Sequence, residues 1–421
     1  MCRIKKKYSK LIENFFSLSI LNGLNVLLPF VTLPYILKTI GTEHYGAYSY
    51  IYGVSQYVIM LSTYGFNFSA TKRISQCRDD KQKVSNLFNS VIASKSIIAL
   101  VLVVLLLLLS HWVFKDKMGT LMFVYSLGMV IGDIFTPIWL FQGMEKMKYM
   151  TIVNASSKIL FTILIFVFIQ ESSDYYLLIL LNSCGYLLSG LLSIMLVKRE
   201  FNLRFHRVGW DDIVQQFKDG SEVFGSTLGM NLYRNANVII LKQFFSDEIV
   251  GLYSAAEKVV KGFQSVISPA AQALFPYLSL RFKGKSISEN IALLKKISIP
   301  FSIVVVLITV MVFIFAPLII KILCGEDFVA SVPLVRIMTL VILFGEINYL
   351  IGIVGLINMN GQSYFFRSVI VAGVFSVTFV LLLLPHYGVN IAAWAMSLAE
   401  ILLFLLCLLS LYRITKHNCG R

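Results

Sequence analysis

Long apolar runs separated by short polar connections recur along the whole chain. They extend from Leu11 to Leu37, Tyr45 to Phe66, Leu87 to Val113, Gly119 to Gln142, Met150 to Ile169 and Tyr175 to Val197. After a polar stretch the pattern resumes from Ser221 to Leu241, Ile249 to Leu280, Ile297 to Leu323, Val332 to Met359, Phe365 to Leu384 and Val389 to Leu411. About 20 apolar residues cross the hydrocarbon layer as a helix, so the pattern predicts an all-α integral membrane protein of about twelve transmembrane helices. The expected organisation is an N-terminal six-helix lobe over 1–197, a linker over 198–220 and a C-terminal six-helix lobe over 221–421. A short internal repeat supports this division. Gly46-Ala47-Tyr48-Ser49 opens the second span, and Gly251-Leu252-Tyr253-Ser254 opens the eighth. Each copy follows a polar turn after the first helix of its half, as two parallel six-helix repeats would require.

Composition agrees with a lipid environment. Of 421 residues, 57% are hydrophobic and 14% charged, with a mean hydropathy of +0.78. Twelve spans consume roughly 240 residues, which leaves only short connections and no sizeable soluble domain. The basic N-terminus, Arg3-Ile4-Lys5-Lys6-Lys7, is followed by a long apolar stretch without a small-residue cleavage site, so it reads as a retained first helix. Neither the six cysteines nor the five histidines show ligand spacing, and no metal site is expected. A phosphate-binding Gly-x-x-x-x-Gly-Lys-[Ser/Thr] loop is absent too, so no nucleotide or other cofactor is implied. Short outward connections without an acid–base constellation argue against an enzyme.

The formal charge of +15 could suggest nucleic acid, but the basic residues lie in clusters between apolar runs, without an RNA-binding motif. They fall on alternate connections instead. Lys5, Lys6, Lys7 and Lys10 precede the first span, Lys72, Arg73, Arg78, Lys81 and Lys83 follow the second, and Lys146 and Lys148 follow the fourth. Lys198, Arg199, Arg204 and Arg207 follow the sixth, Arg281, Lys283 and Lys285 the eighth, and Arg413 and Lys416 end the chain. Intervening connections are poor in Lys and Arg, as in Glu171-Ser172-Ser173-Asp174 and Ser246-Asp247-Glu248. The positive-inside rule then places both termini in the cytoplasm of a multi-pass protein.

Ionisable groups inside spans are costly, about 2.5 to 3.5 kcal/mol each at the bilayer centre, and so become candidates for function. In the seventh span Asn231, Arg234 and Asn235 share one helical face suited to an anion, with Lys242 further along. The alternative for Arg234 is a structural pair with Asp133 or a helix terminus. In the eighth, Tyr253, Glu257, Lys261 and Gln264 form a stripe with Lys258 beside it, and Glu257 and Lys261 have the orientation of an i,i+4 ion pair. Asn22, Asn25, Pro29 and Thr32 make a polar stripe on the first span, where Pro29 and Pro34 invite bends. Tyr48, Tyr52 and Gln56 lie on one side of the second, offering rings and hydroxyls to a sugar, unless they form an interfacial aromatic belt. Asp133 and Lys158 are central charges of the fourth and fifth spans. Facing each other they would form a structural pair or an ion-linked switch, and Glu257 is a second coupling candidate. Arg336, Glu346 and Glu400 are further charges near span boundaries.

Several stretches resemble one family. Leu27-Leu28-Pro29-Phe30-Val31-Thr32-Leu33-Pro34-Tyr35-Ile36-Leu37, then Ile40-Gly41 and Tyr45-Gly46-Ala47-Tyr48, look like the opening signature of polysaccharide repeat-unit flippases. So do Tyr64-Gly65-Phe66-Asn67 with its continuation to Arg73, Leu232-Tyr233-Arg234-Asn235, and Gly251-Leu252-Tyr253-Ser254-Ala255-Ala256-Glu257-Lys258. These are the Wzx-type O-antigen flippases of the multidrug/oligosaccharidyl-lipid/polysaccharide exporter superfamily. The resemblance covers essentially the whole chain. It implies flipping of an undecaprenyl-diphosphate-linked oligosaccharide from the cytoplasmic to the periplasmic leaflet of the bacterial inner membrane, through a cationic cavity between two lobes that alternate access. Membrane lipid and other polysaccharide-assembly membrane proteins are the implied partners, and nucleic acid is not. Arg234, Lys258 and Lys261 would meet the diphosphate, and Asn22, Asn25, Tyr48, Tyr52, Gln56, Asn231, Asn235 and Tyr253 the glycan. Competing readings are a multidrug exporter, which calls for a less cationic cavity, a peptidoglycan-precursor flippase, which usually has about two more helices, and a membrane scaffold that transports nothing.

Overall fold

The computed structural model of the chain describes residues 2–114, 117–282, 284–359 and 361–419. Within these, side chains are described except at 2–27, 29, 111, 222, 223, 226, 227, 229–235, 273, 276, 277, 280 and 416–419. The described residues are helical, without a strand. In chain order the helices are α1 (Cys2–Thr63), α2 (Phe66–Cys77), α3 (Lys81–Leu108), α4 (Ser110–Val113), α5 (Lys117–Ile134), α6 (Ile138–Gly143) and α7 (Met147–Phe168). They continue with α8 (Tyr175–Leu196), α9 (Trp210–Phe244), α10 (Asp247–Phe282), α11 (Ile287–Leu323), α12 (Val332–Asn348), α13 (Gln362–Tyr387) and α14 (Asn390–Cys419). Among the described residues, eight helical segments are long and apolar enough to cross a membrane. The other four expected spans fall on α1, which holds two, and on α9 and α10. This is an all-α multi-pass membrane protein.

Local chemistry explains where the helices start and break. Asp80 caps α3 by accepting the backbone N–H groups of Gln82 and Lys83, and Ser286 with Glu289 forms a capping box at the head of α11. The interruption of α1 comes at Gly41, with φ 75° and ψ −179°, whereas the helix runs on through Pro29 and Pro34. The break in helical dihedrals therefore sits in the polar turn after the first span, at a residue without Cβ that adopts this backbone cheaply. The polar stretch 198–220 is also mostly helical: 197–201 form a π-turn, and α9 begins at Trp210 with Asp211 and Asp212 complementing its positive end. Only 202–209 lie outside helices.

The chain divides into two compact units, Met1–Ile40 with Ala47–Thr227, and Gly41–Gly46 with Leu228–Arg421. In the first, α5 packs along α8 and α7 along α8, while α2 lies on α6. The start of α9 is fastened to this unit by Arg73, whose guanidinium reaches Asp219 at 2.6 Å, and by Tyr64 stacked on Phe224 at 4.3 Å. In the second unit α14 packs on α12 and α13, and α10 on α12. Apolar side chains crowd the outside of both units. Only 28% of the apolar windows of α3 and α11 is buried, and Leu100, Leu105, Leu108, Ile303, Leu307 and Ile314 point outward. In water such patches would aggregate, whereas in lipid they are the solvated surface.

The glycines of the internal repeat meet each other. A Cβ on Gly46 would overlap the carbonyl of Asp247, and a Cβ on Gly251 would overlap that of Thr42. Each glycine thus rests on the carbonyl four residues before the other, a reciprocal backbone crossing of the kind that small residues permit in membrane helices.

Candidate functional site

In the first unit, the half of α1 after Gly41 carries Tyr48, Tyr52 and Gln56 at intervals of four, which places them on one face. Facing them, α8 carries Asn182 and Tyr186, again four apart. The Asn182 amide donates to the Tyr48 hydroxyl at 3.3 Å, and the Gln56 amide donates to the Tyr186 hydroxyl at 3.3 Å. The rings of Tyr48 and Tyr52 stand 5.7 Å apart. All five residues are half-buried, so the face is both sheltered and reachable. It carries no formal charge.

Beside it lies a buried ion pair. The Lys95 ammonium, on α3, donates to the Asp133 carboxylate at 2.7 Å and to the Asp133 carbonyl at 3.0 Å. Lys95 is 2% exposed. The partner of the Asp133 carboxylate is therefore Lys95 and not Lys158, which stands on an exposed side of α7. The reason is geometric: α5 ends at Ile134, one residue beyond Asp133, and a lysine reaching from α3 satisfies both the carboxylate and an end-of-helix carbonyl. Gly132 packs against the backbone of Tyr186, which brings the negative end of the pair next to the tyrosine face.

In the second unit, Glu257 and Lys261 form the expected i,i+4 pair at 3.0 Å. Lys258 is the exposed position in a stretch of α10, 253–260, that is otherwise buried. Tyr253, expected as a lining ring, is fully buried instead. Its hydroxyl accepts from Asn237 at 2.8 Å, and the same amide donates to the Ala392 carbonyl at 3.1 Å, so it ties α10 to α9 and α14. Its place beside the Gly46–Gly251 crossing leaves it no open side. Asn22, Asn25, Asn231, Arg234 and Asn235 are candidates whose side chains lie outside the described residues. Glu346 and Glu400 are buried. Glu346 accepts the Ser268 hydroxyl at 2.7 Å, and Glu400 accepts the Asn348 amide at 2.8 Å, linking α12 to α10 and α14. Arg336 is exposed, with its guanidinium 5.4 Å from the Phe313 ring centre. Lys242 meets Asp247 at 2.5 Å across the turn from α9 to α10.

Sequence reasoning missed Lys95, Asn182, Tyr186 and Asn237. A signal existed for the first, since a lone lysine inside the third apolar run is an intramembrane charge by the same rule that selected Asp133. Asn182 and Tyr186 repeat the four-residue spacing of Tyr48 and Tyr52, but uncharged groups in an apolar run stand out only once a facing helix is known.

The first part of the chain, residues 11–281, matches the family model described as Polysaccharide biosynthesis protein. A candidate O-antigen transporter of Escherichia coli (strain K12) is 27% identical over 368 residues, covering 87% of this chain and 88% of that protein. One of Shigella dysenteriae is 25% identical over 407 residues, covering 96% of this chain and all of that protein. Among solved structures, a MATE-family multidrug resistance transporter of the MOP superfamily in its inward-facing conformation superimposes with a TM-score of 0.73 at 12% identity, covering 96% of this chain and 99% of its own. The lipid II flippase MurJ in an inward closed conformation gives 0.72 at 15% identity, covering 96% and 87%. At such identities the two structures speak for the fold.

Proposed function

Because the chain belongs to the polysaccharide biosynthesis protein family, we propose that it flips an undecaprenyl-diphosphate-linked polysaccharide repeat unit, of the O-antigen kind, from the cytoplasmic to the periplasmic leaflet of the bacterial inner membrane. Membership of a polysaccharide biosynthesis family and a multi-pass helical membrane fold frame this reading. The observation that carries the finer reading is the likeness to two O-antigen transporters over most of the chain. A lipid-linked diphosphate supplies the one anionic headgroup that the cationic positions need, and its prenyl tail can remain in the bilayer.

In this reading Arg234, Lys258 and Lys261 receive the diphosphate. Lys258 stands at the exposed position of a helix whose flanking positions are buried. Lys261 is neutralised in part by Glu257 at 3.0 Å, which makes it a weaker anion ligand. The glycan meets Tyr48, Tyr52 and Gln56. Both lobes alternate access around the headgroup, with both termini in the cytoplasm. Outward movement of one negative charge against an inside-negative potential gains about 2.3 kcal/mol per 100 mV, which favours export. Glu257 and Asp133 are the acidic groups through which an ion gradient would act.

The test is complementation. In cells lacking this protein, gel banding of surface polysaccharide is compared after expression of wild type, Arg234→Ala or Lys258→Ala, at equal membrane levels. Long-chain polysaccharide restored by wild type and reduced at least tenfold by either variant is the expected result. Unchanged polysaccharide in the deletion strain itself would redirect the assignment to drug export.

A further inference from the structure

Asn182 and Tyr186 complete on α8 a surface that α1 begins, and its chemistry differs from that of α10. Five side chains meet there, and none is charged: two tyrosine rings 5.7 Å apart, a third tyrosine, and two amides. Both amide-to-hydroxyl bonds are 3.3 Å, and amides and hydroxyls are the groups that exchange such bonds with a ligand hydroxyl. In these hydrogen bonds the amide nitrogens of Gln56 and Asn182 donate, Asn182 also to the Leu178 carbonyl at 2.8 Å, so each amide oxygen is an acceptor, and all five residues are half-buried.

The same surface is hostile to an anion. The cation beside it, Lys95, is 2% exposed and held by Asp133 at 2.7 Å. The Asp133 carboxylate follows directly on Gly132, which packs against the backbone of Tyr186. A phosphate would find no unpaired donor cation there and a carboxylate nearby, whereas a sugar ring would find flat faces, hydroxyls and acceptor oxygens.

We propose that recognition is divided: Asn182 and Tyr186, with Tyr48, Tyr52 and Gln56, form the sugar-reading subsite in the first unit, while the second unit's Lys258 reads the diphosphate. This rests on the flippase reading above and adds which groups set substrate specificity. Sugar choice is then a property of α1 and α8, and headgroup affinity a property of α10.

The experiment uses the full chain in lipid nanodiscs and two probes, bare undecaprenyl diphosphate and the glycosylated lipid extracted from the deletion strain. Affinities are measured for wild type, Tyr186→Phe, Asn182→Ala and Lys258→Ala, with thermal unfolding recorded for each. Tyr186→Phe and Asn182→Ala are expected to lower the preference for the glycosylated over the bare lipid by about tenfold, as loss of a hydrogen bond to a ligand hydroxyl does. Lys258→Ala is expected to weaken both probes by a similar factor and leave the preference as in wild type. If all three variants weaken both probes alike, or the α8 variants leave the preference intact while folded, the division is wrong although the flippase reading stands. If wild type binds neither probe, the flippase reading fails and the subsite falls with it.

Discussion

The Lys95 ammonium has no water to retreat to, so its free energy depends on Asp133. Removing one member of a buried pair leaves the other uncompensated, at a cost of about 3–5 kcal/mol, whereas replacing both by apolar groups of similar size is nearly neutral. Asp133→Asn should therefore lower the thermal unfolding midpoint sharply, and Lys95→Met with Asp133→Leu should recover most of the loss. If the double variant is stable and still exports polysaccharide, the pair is structural. Stability without export would mark Asp133 as the ion-coupling residue. Tyr253 gives the opposite kind of prediction. Tyr253→Phe removes one hydroxyl, while the Asn237 amide keeps the Ala392 carbonyl at 3.1 Å, so the loss should be about 1 kcal/mol with export retained. Loss of export at an unchanged midpoint would return Tyr253 to the substrate path.

Among the elements, α1 and α10 depend on each other most directly. Any side chain at Gly46 or Gly251 meets backbone carbonyl and not a flexible neighbour, so the helices must separate to admit it. Gly46→Ala and Gly251→Ala are each expected to cost about 3 kcal/mol, at the upper end for overpacking, and the double variant less than the sum because one displaced crossing accommodates both. Thermal unfolding of the purified variants in detergent reads this. Additive costs would mean that the two glycines do not share a crossing. The repeat itself was visible in the sequence. Its reason was not, because a four-residue match says that two segments are alike and nothing about whether they touch.

For the whole molecule, the distribution of Lys and Arg among connections predicts the side of insertion, with both termini in the cytoplasm. A fluorescent protein fused after Arg421 should fluoresce in cells, and alkaline phosphatase at the same position should be inactive. An active phosphatase fusion would place the C-terminus outside and reverse the proposed direction of every connection. The all-α multi-pass architecture was legible from hydropathy alone, since about twenty consecutive apolar residues have few other uses. The candidate site was legible only in part. Glu257 and Lys261 are partners because they lie one turn apart on one helix, a relation that spacing expresses. Asp133 was matched in advance with Lys158 on an adjacent predicted span, but its partner came from α3, 38 residues before it. Asn182 and Tyr186 acquired meaning only opposite Tyr48 and Gln56, more than 125 residues away in the chain.

By itself, then, the sequence determined the solvent this protein needs, its all-α character and the i,i+4 pairing of Glu257 with Lys261, because those depend on local hydropathy and helical period. Which helix faces which was decided by tertiary structure alone. In lipid an apolar face is equally content against tails or another helix, so partners are selected by close glycine contacts and by a few buried polar groups whose mates lie far along the chain.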